Sequence, residues 1–261
     1  MLLTRILSAL VGIPVILATA YFGGPVFLFF VLLLALLARQ EVADLGQRRE
    51  MELELSLSLS GVVASITLAY IQGEAVLGPV MVATLLTVLT WQIISFRTFS
   101  WFSAIYTLFG IFYTGILPAY LVLLRGRPEG LHWLLVVLLG TWGTDTLAYF
   151  GGSRWGKRKL SPQISPNKTL EGALAGLFGA VMIVLLYGFW LGWPLLKTMA
   201  LGLAIGIAAQ LGDLSESSLK RFVGVKDSGH LIPGHGGVLD RFDSLLFSAP
   251  VAYYFFTRFF G

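Results

Sequence analysis

The stretch from Gly212 to Ser244 concentrates charged residues in a sequence that otherwise contains few of them. It reads GDLSESSLKRFVGVKDSGHLIPGHGGVLDRFDS, and its charged residues are Asp213, Glu216, Lys220, Arg221, Lys226, Asp227, Asp240, Arg241 and Asp243. The acids could hold a divalent cation and the bases could bind a polyanion. The glycines Gly234, Gly236 and Gly237 could bring backbone N–H groups against phosphate oxygens. Together these residue types are typical of phosphoryl-transfer chemistry.

Two acids lie inside or at the end of apolar runs, where a carboxylate is expensive. Asp145, in WGTDTLAYFGG, and Asp213 are for that reason candidate functional residues. For Asp145 the alternative is a structural hydrogen bond, since Thr144, Thr146 and Tyr149 could satisfy a buried carboxyl group. Both interpretations of Asp145 stay open.

The ionisable residues favour magnesium over a histidine-based metal site. The chain has 3 His and no Cys, and His235 has no HxxH or HxxxH spacing, so it could be a ligand, a general base or a turn residue. Mg²⁺ prefers one or two carboxylates with water and phosphate oxygens. We predict that Asp213, at the end of the eighth span, and Asp240, at the start of the ninth, hold it jointly. Asp243 is expected to orient a ligand or a lysine. The alternative is that Asp240 caps the helix while Arg241 anchors it at the membrane edge.

A second polar group lies in the segment SPNKTLEG, residues 165–172. Lys168 precedes a helix start, and a lysine beside a helix amino terminus is a natural anion site. Glu171 falls in the first helical turn, where the helix dipole stabilises a carboxylate whether or not it contacts substrate. A nearby basic cluster is, by contrast, typical of loops that set membrane topology and attract anionic lipids. It consists of Arg154, Lys157, Arg158 and Lys159.

The composition places these residues in a membrane protein. Of 261 residues, 56% are hydrophobic and 12% charged, which leaves too little polar surface for a soluble domain. A window reading gives about nine apolar runs, and about 20 helical residues cross a ~30 Å hydrocarbon core. The predicted fold class is an all-α polytopic membrane protein with about nine transmembrane helices and a polar active-site cleft that faces the cytoplasm. Residues 1–130 are predicted to be amino-terminal membrane helices and residues 131–261 the catalytic membrane region.

The polar segments between the runs allow more specific expectations. Residues 39–50, RQEVADLGQRRE, are expected at the surface, and residues 151–169 form a polar loop. Residues 51–61 alternate as a strand would, but a lone strand cannot satisfy its backbone in lipid. We predict that they lead into a third helix ending near Ile71. Gly172, Gly176 and Ala180, four apart, suit close helix packing.

The distribution of cations predicts the orientation of the spans. If the amino terminus is cytoplasmic, all but four of the 18 Lys and Arg residues lie on the cytoplasmic side. The four exceptions are Arg125, Arg127, Lys197 and Arg258. The bias predicts that both polar loops face the cytoplasm.

A long, gapped pattern runs through the charged stretch. It comprises Ser217-x-Leu219-Lys220-Arg221, then Lys226-Asp227, then Pro233-x-His235-Gly236-Gly237-x-x-Asp240-Arg241-x-Asp243. This pattern resembles the signature of the phosphatidate cytidylyltransferases at every fixed position. Asp145-x-x-Ala148-Tyr149-x-x-Gly152 and Ser165-Pro166-x-Lys168-Thr169-x-Glu171-Gly172 resemble the upstream motifs of that family. The resemblance covers the second half of the chain well, whereas the first half matches only as apolar spans.

The resemblance implies a nucleotidyltransferase of phospholipid synthesis. Such an enzyme transfers CMP from CTP to phosphatidic acid with Mg²⁺, and is a homodimer in the cytoplasmic membrane, among membrane lipids and without a nucleic-acid partner. By similarity, Asp213 and Asp240 are metal ligands and, with Lys220 and Arg221, the catalytic residues. The implied substrate-binding positions are Asp145, Ser165, Asn167, Lys168, Glu171, Ser217, Lys226, Asp227, His235, Gly236, Gly237, Arg241 and Asp243. A second, monovalent cation stays an open alternative.

The residues are compatible with this chemistry, but they leave rivals open. A phosphate monoester has a second pKa near 6, so the lipid nucleophile is ionised at neutral pH without a strong general base. One rival is a CTP-dependent transferase that acts on another lipid phosphate, such as an isoprenoid ether lipid phosphate. A rival of another class is an ion-coupled transporter, which also places carboxylates at membrane depth.

Overall fold

The computed structural model describes the backbone of residues 2–229 and 236–260 and, within these ranges, the side chains from residue 10 onward. The described residues are mostly helical, which confirms the predicted all-α class. The helices are α1 Leu2–Phe22, α2 Gly24–Gln47, α3 Leu55–Gln72, α4 Leu77–Ile94, α5 Trp101–Ile111, α6 Leu117–Arg125, α7 Gly130–Trp155, α8 Leu170–Trp190, α9 Leu195–Phe222 and α10 Leu239–Phe259. A 3₁₀ turn, Glu74–Val76, precedes α4, and a π-helical turn, Phe112–Ile116, joins α5 to α6. Strands β1 Lys159–Ser161 and β2 Ser165–Thr169 form an antiparallel hairpin within the predicted polar loop.

Seven helical segments in the described part of the chain are long and apolar enough to cross a membrane. They are Gly24–Gln47, Leu55–Gln72, Glu74–Ile94, Trp101–Arg125, Gly130–Trp155, Leu170–Trp190 and Leu195–Phe222. An integral membrane protein with several spans is therefore confirmed, while the number nine stays a prediction.

The chain divides into two compact units. The first comprises residues 1–128 and 223–241, and the second comprises residues 129–222 and 242–261. The predicted separation into amino-terminal helices and a catalytic region concerns function and stays a prediction. The glycine-rich part of the charged stretch thus belongs, by its contacts, to the unit built from α1 to α6.

In the first unit, helix α2 continues through residues that were expected at the surface. Arg39 and Glu41 are only 5% and 2% exposed, so that expectation is wrong for both. Arg39 donates from Nε and Nη2 to Ser58 Oγ at 2.8 and 2.7 Å. The alternating segment was predicted to lead into a third helix that ends near Ile71, but α3 already begins at Leu55, inside that segment, and ends at Gln72. Glu54 caps α3 by accepting from Leu57 N at 2.6 Å.

In the second unit, small residues let α7, α8 and α9 pack closely, which confirms the close packing predicted for Gly172, Gly176 and Ala180. A Cβ atom on Gly176 would lie 2.9 Å from the backbone oxygen of Thr144, and one on Gly172 would lie 2.8 Å from that of Ala148. Ala180, one turn further, is fully buried. Only small side chains permit this approach.

Helix α9 extends beyond the apolar run that predicted it. The eighth apolar run was predicted to extend from about Leu195 to Leu211, but α9 continues to Phe222, so Asp213 lies inside a helix rather than at its end. Asp213 therefore does not end the helix, and its placement at the end of the eighth membrane span stays a prediction. The helix continues because residues such as Glu216 and Lys220 have good helix propensity. They reduce the mean hydropathy of the segment, so the apolar run ends before the helix does.

Candidate active site

One face of α9 carries several of the polar residues in the second unit. Asp213, Glu216, Ser217 and Lys220 are spaced three, four and seven apart, which places them on the same side of a helix. Glu216 is 1% exposed and forms an ion pair with Lys220. Glu216 was not among the predicted site residues, although its spacing from Lys220 is the sequence signal that indicates the pair.

The hairpin brings Lys168 to this face of α9. Lys168 Nζ lies 2.5 Å from Asp213 Oδ2, and the two side chains are 27% and 32% exposed. The Nζ atom itself is shielded from solvent. Thr169, the next residue, ends β2 and caps α8 by accepting from Gly172 N at 3.1 Å. Lys168 therefore differs from the exposed basic cluster of Arg154, Lys157, Arg158 and Lys159.

Glu171 and Arg221 hold the loops around the hairpin. The Glu171 carboxylate accepts from Lys157 N at 2.9 Å and from Arg158 N at 3.1 Å. Arg221 donates from Nε to the backbone oxygen of Ile164 at 3.1 Å. These contacts give both residues a structural role, and their predicted substrate contacts stay predictions.

Asp243, in the first turns of α10, joins the same cluster. Its side chain is 8% exposed and interacts electrostatically with Asp213, Lys220 and Lys168. Asp243 Oδ1 also accepts from Ser244 N at 2.7 Å. The second unit thus gathers three carboxylates and two ammonium groups, a set that can bind phosphate oxygens and a divalent cation.

In the first unit, Asp240 organises the glycine-rich segment. Asp240 Oδ2 accepts from Ser228 N at 3.0 Å, from Ser228 Oγ at 3.0 Å and from Gly237 N at 2.8 Å. Gly236 adopts a positive φ of 84°, which glycine tolerates best. A Cβ atom there would lie 2.5 Å from Asp240 Oδ2. None of these donors belongs to α10, whose first N–H group, that of Leu239, donates to Glu41, so the contacts do not support the alternative in which Asp240 caps this helix. Phosphate binding by Gly236 and Gly237 stays a prediction.

Glu41 contacts the same segment from α2 and was missed by the sequence reasoning. It accepts from Val238 N at 2.7 Å, from Leu239 N at 2.8 Å and from Ser228 Oγ at 3.1 Å. The sequence signal for Glu41 was that a carboxylate within a membrane span is costly and therefore a functional candidate. Residues 39–50 are so polar that they were not interpreted as part of a span.

The other predicted residues take less buried positions. The exposed ones are Asp145, Asn167, Lys226, Asp227 and Arg241, and the half-buried ones are Ser165 and Ser217. His235 lies outside the described residues. The structure brings together Lys168, Asp213, Glu216, Lys220 and Asp243 in the second unit, and Ser228, Gly236, Gly237 and Asp240 in the first.

The second-unit cluster has donor chemistry that fits Mg²⁺. Among the described residues no group of three or more His, Asp and Glu side chains forms a ready metal cage. Mg²⁺ does not need such a cage, because it binds one or two carboxylates together with water and substrate phosphates. Asp213 and Asp243 supply carboxylates in one unit. The joint site of Asp213 and Asp240 stays a prediction.

The fold and this cluster define an integral membrane protein equipped to bind phosphate groups. Comparison with known proteins identifies it further, since the model of the cytidylyltransferase family matches residues 3–259. The chain belongs to that family.

Three relatives share most of this chain. The phosphatidate cytidylyltransferase of Staphylococcus aureus (strain COL) is 37% identical over 259 residues, which cover 95% of both chains. The enzymes of the same name from Staphylococcus saprophyticus and Staphylococcus epidermidis are each 36% identical, over 259 and 262 residues, again with 95% of both chains covered. The similarity therefore extends through the first half of the chain, where the motifs alone gave no match.

Proposed function

We propose that the protein transfers CMP from CTP to phosphatidic acid, giving CDP-diacylglycerol and pyrophosphate. One observation in the structure carries this proposal. In a member of the cytidylyltransferase family, Lys168 and Lys220 lie in ion pairs with Asp213 and Glu216, beside the buried Asp243. Such a cluster suits two substrates that both carry phosphate.

The reaction is a substitution at the α-phosphorus of CTP. A phosphate oxygen of the lipid attacks this phosphorus, the new P–O bond forms, and the bond to the pyrophosphate leaving group breaks. The monoester is mostly ionised at neutral pH, so no strong general base is required. The protein must therefore position two polyanions and neutralise charge.

The residues of the cluster have the chemistry for this task. Lys168 uses one of its three donors on Asp213 and can offer others to CTP phosphates, and Lys220 can act similarly beside Glu216. Asp213, with Asp240 or Asp243, would hold Mg²⁺, which neutralises phosphate charge when bound. Arg221 would add a further cation from the end of α9.

Three further features belong to the proposal. The cation bias of the sequence supports placing Lys168 and Lys226 on the cytoplasmic side of the inner membrane, where CTP is available. The carboxyl terminus would lie on the far side, given nine spans. The resemblance to the family supports a homodimer.

Labelled nucleotide distinguishes this function from its rivals. The purified protein is incubated with Mg²⁺, CTP labelled in the α-phosphate and vesicles that contain one candidate lipid phosphate. We expect label to enter the lipid fraction with phosphatidic acid and pyrophosphate to appear in equal amount. Transfer only to an isoprenoid ether lipid phosphate would establish the other substrate. No transfer to any lipid phosphate would contradict the proposal.

A further inference from the structure

We infer that Glu41, in α2, is a positioning residue for the transfer reaction, because it holds the segment that carries Gly236, Gly237 and Asp240. This inference rests on the proposed function. Glu41 lies far from every motif residue in the sequence, 187 positions before Ser228.

Both carboxylate oxygens of Glu41 are used within the first unit. Oε1 accepts from Val238 N at 2.7 Å, and Oε2 accepts from Leu239 N at 2.8 Å and from Ser228 Oγ at 3.1 Å. The donors come from both ends of the segment that runs from Ser228 to the start of α10. One side chain therefore ties the two ends of this segment to α2.

Ser228 connects Glu41 to Asp240. The Ser228 hydroxyl lies within hydrogen-bonding distance of both carboxylates, at 3.1 Å from Glu41 Oε2 and 3.0 Å from Asp240 Oδ2. Asp240 Oδ2 also accepts from Gly237 N at 2.8 Å. A change at Glu41 is thus transmitted to the predicted metal ligand through one shared residue.

The glycines of the segment fit the Glu41 carboxylate closely. A Cβ atom on Gly229 would lie 2.8 Å from Glu41 Oε1. A Cβ atom on Gly237 would lie 2.5 Å from Glu41 Oε2 and would also collide with Ser228 Oγ. The absence of side chains at these positions allows the segment to approach Glu41, which is itself only 2% exposed.

A set of variants on α2 tests the inference. Glu41→Gln keeps the shape but replaces one acceptor oxygen by a donor, while Glu41→Asp keeps the charge on a shorter side chain. Asp44→Asn is the matched control, because Asp44 is an exposed acid on the same helix whose contact is with Gln40 Nε2 at 2.9 Å. Each protein is studied by amide hydrogen exchange of residues 228–239 and by steady-state kinetics at several Mg²⁺ concentrations.

We expect Glu41→Gln to exchange the amides of Val238 and Leu239 faster than the unaltered protein does. Its kcat/KM for CTP should fall by about tenfold to a hundredfold, which corresponds to the loss of one or two hydrogen bonds to a charged group. Half-maximal activity should also need more Mg²⁺. Glu41→Asp should recover part of the exchange protection and part of the rate, and Asp44→Asn should behave as the unaltered protein does.

Two results would overturn the inference. Unchanged exchange in Glu41→Gln would show that the carboxylate does not hold the segment. Faster exchange with unchanged kcat/KM and unchanged Mg²⁺ dependence would make Glu41 an anchor of the fold without influence on the reaction. If Glu41→Gln does not fold, Glu41→Asp decides between these results. Failure of the unaltered protein to use CTP at all would refute the proposed function instead, and the exchange data would still report whether Glu41 holds the segment.

Discussion

Replacing Lys168 with alanine tests whether this lysine binds phosphate or only sets membrane topology. In the structure, Lys168 forms an ion pair with Asp213, and the two side chains are 27% and 32% exposed. An ion pair exposed to this extent contributes about 0–1 kcal/mol to stability. We therefore expect Lys168→Ala to fold and insert, with a change in the free energy of unfolding below about 1 kcal/mol.

The expected effect on catalysis is larger than the effect on stability. A hydrogen bond between an ammonium group and a phosphate is worth roughly 1.5–3 kcal/mol. Loss of one such contact lowers kcat/KM for CTP by about tenfold to 150-fold. The ion pair with Asp213 holds the Lys168 ammonium group apart from the exposed basic cluster, which favours this outcome.

The assay compares Lys168→Ala with Lys157→Ala. Lys157 is exposed and lies in the same loop, and the contact described for it comes from its backbone N–H to Glu171. Both variants lose one positive charge, so any change in the attraction of the protein to anionic lipids affects both equally. Initial rates are measured against CTP at a fixed surface fraction of phosphatidic acid. If the well-folded Lys168→Ala protein shows an unchanged kcat/KM for CTP, Lys168 belongs with the topology-setting cluster and the reasoning is refuted.

Three other outcomes are expected. Asp213→Asn and Asp240→Asn should each fold and lose nearly all turnover, without rescue by added Mg²⁺, and a variant that keeps most activity would show that its carboxylate is not a ligand. A cysteine at Ser161 should be protected from an impermeant reagent outside intact cells while one at Gly261 is labelled, and the reverse pattern would invert the topology. Gly176→Val should destabilise the protein by about 1–3 kcal/mol, since its Cβ would lie 2.9 Å from a backbone oxygen of the facing helix. An unchanged thermal midpoint in detergent would contradict this packing.

Local sequence patterns predicted those features that depend on residues close together in the sequence. The small residues of α8 indicated close packing. Lys168 was singled out from the basic cluster because it precedes a helix start, and it lies in an ion pair with Asp213, while its phosphate contact stays a prediction. Hydropathy windows were less reliable at the ends of helices. The window ended at Leu211 because polar residues follow, yet those residues continue α9 to Phe222.

Contacts between distant parts of the chain could not be predicted in this way. Glu41 lies in a polar run that was expected at the surface, and its burial is accompanied by hydrogen bonds from Ser228, Val238 and Leu239. The burial of Glu216 likewise depends on packing in the second unit, although the spacing to Lys220 indicated their ion pair. A single sequence carries no signal for which distant segment covers a carboxylate.

For the glycines of the charged stretch, substitution alone does not distinguish a role in packing within the protein from a role in binding substrate. Gly237 donates its backbone N–H to Asp240, and a side chain there would collide with Glu41 and Ser228. Gly237→Ala would therefore lower activity whether or not Gly237 also binds phosphate. Glu41→Gln weakens the hydrogen bonds that tie the segment to α2 and leaves every glycine in place. The effect of Glu41→Gln on the Mg²⁺ dependence of the reaction therefore measures how much the position of the segment matters. Once that effect is known, any further loss of activity in Gly237→Ala can be assigned to phosphate binding.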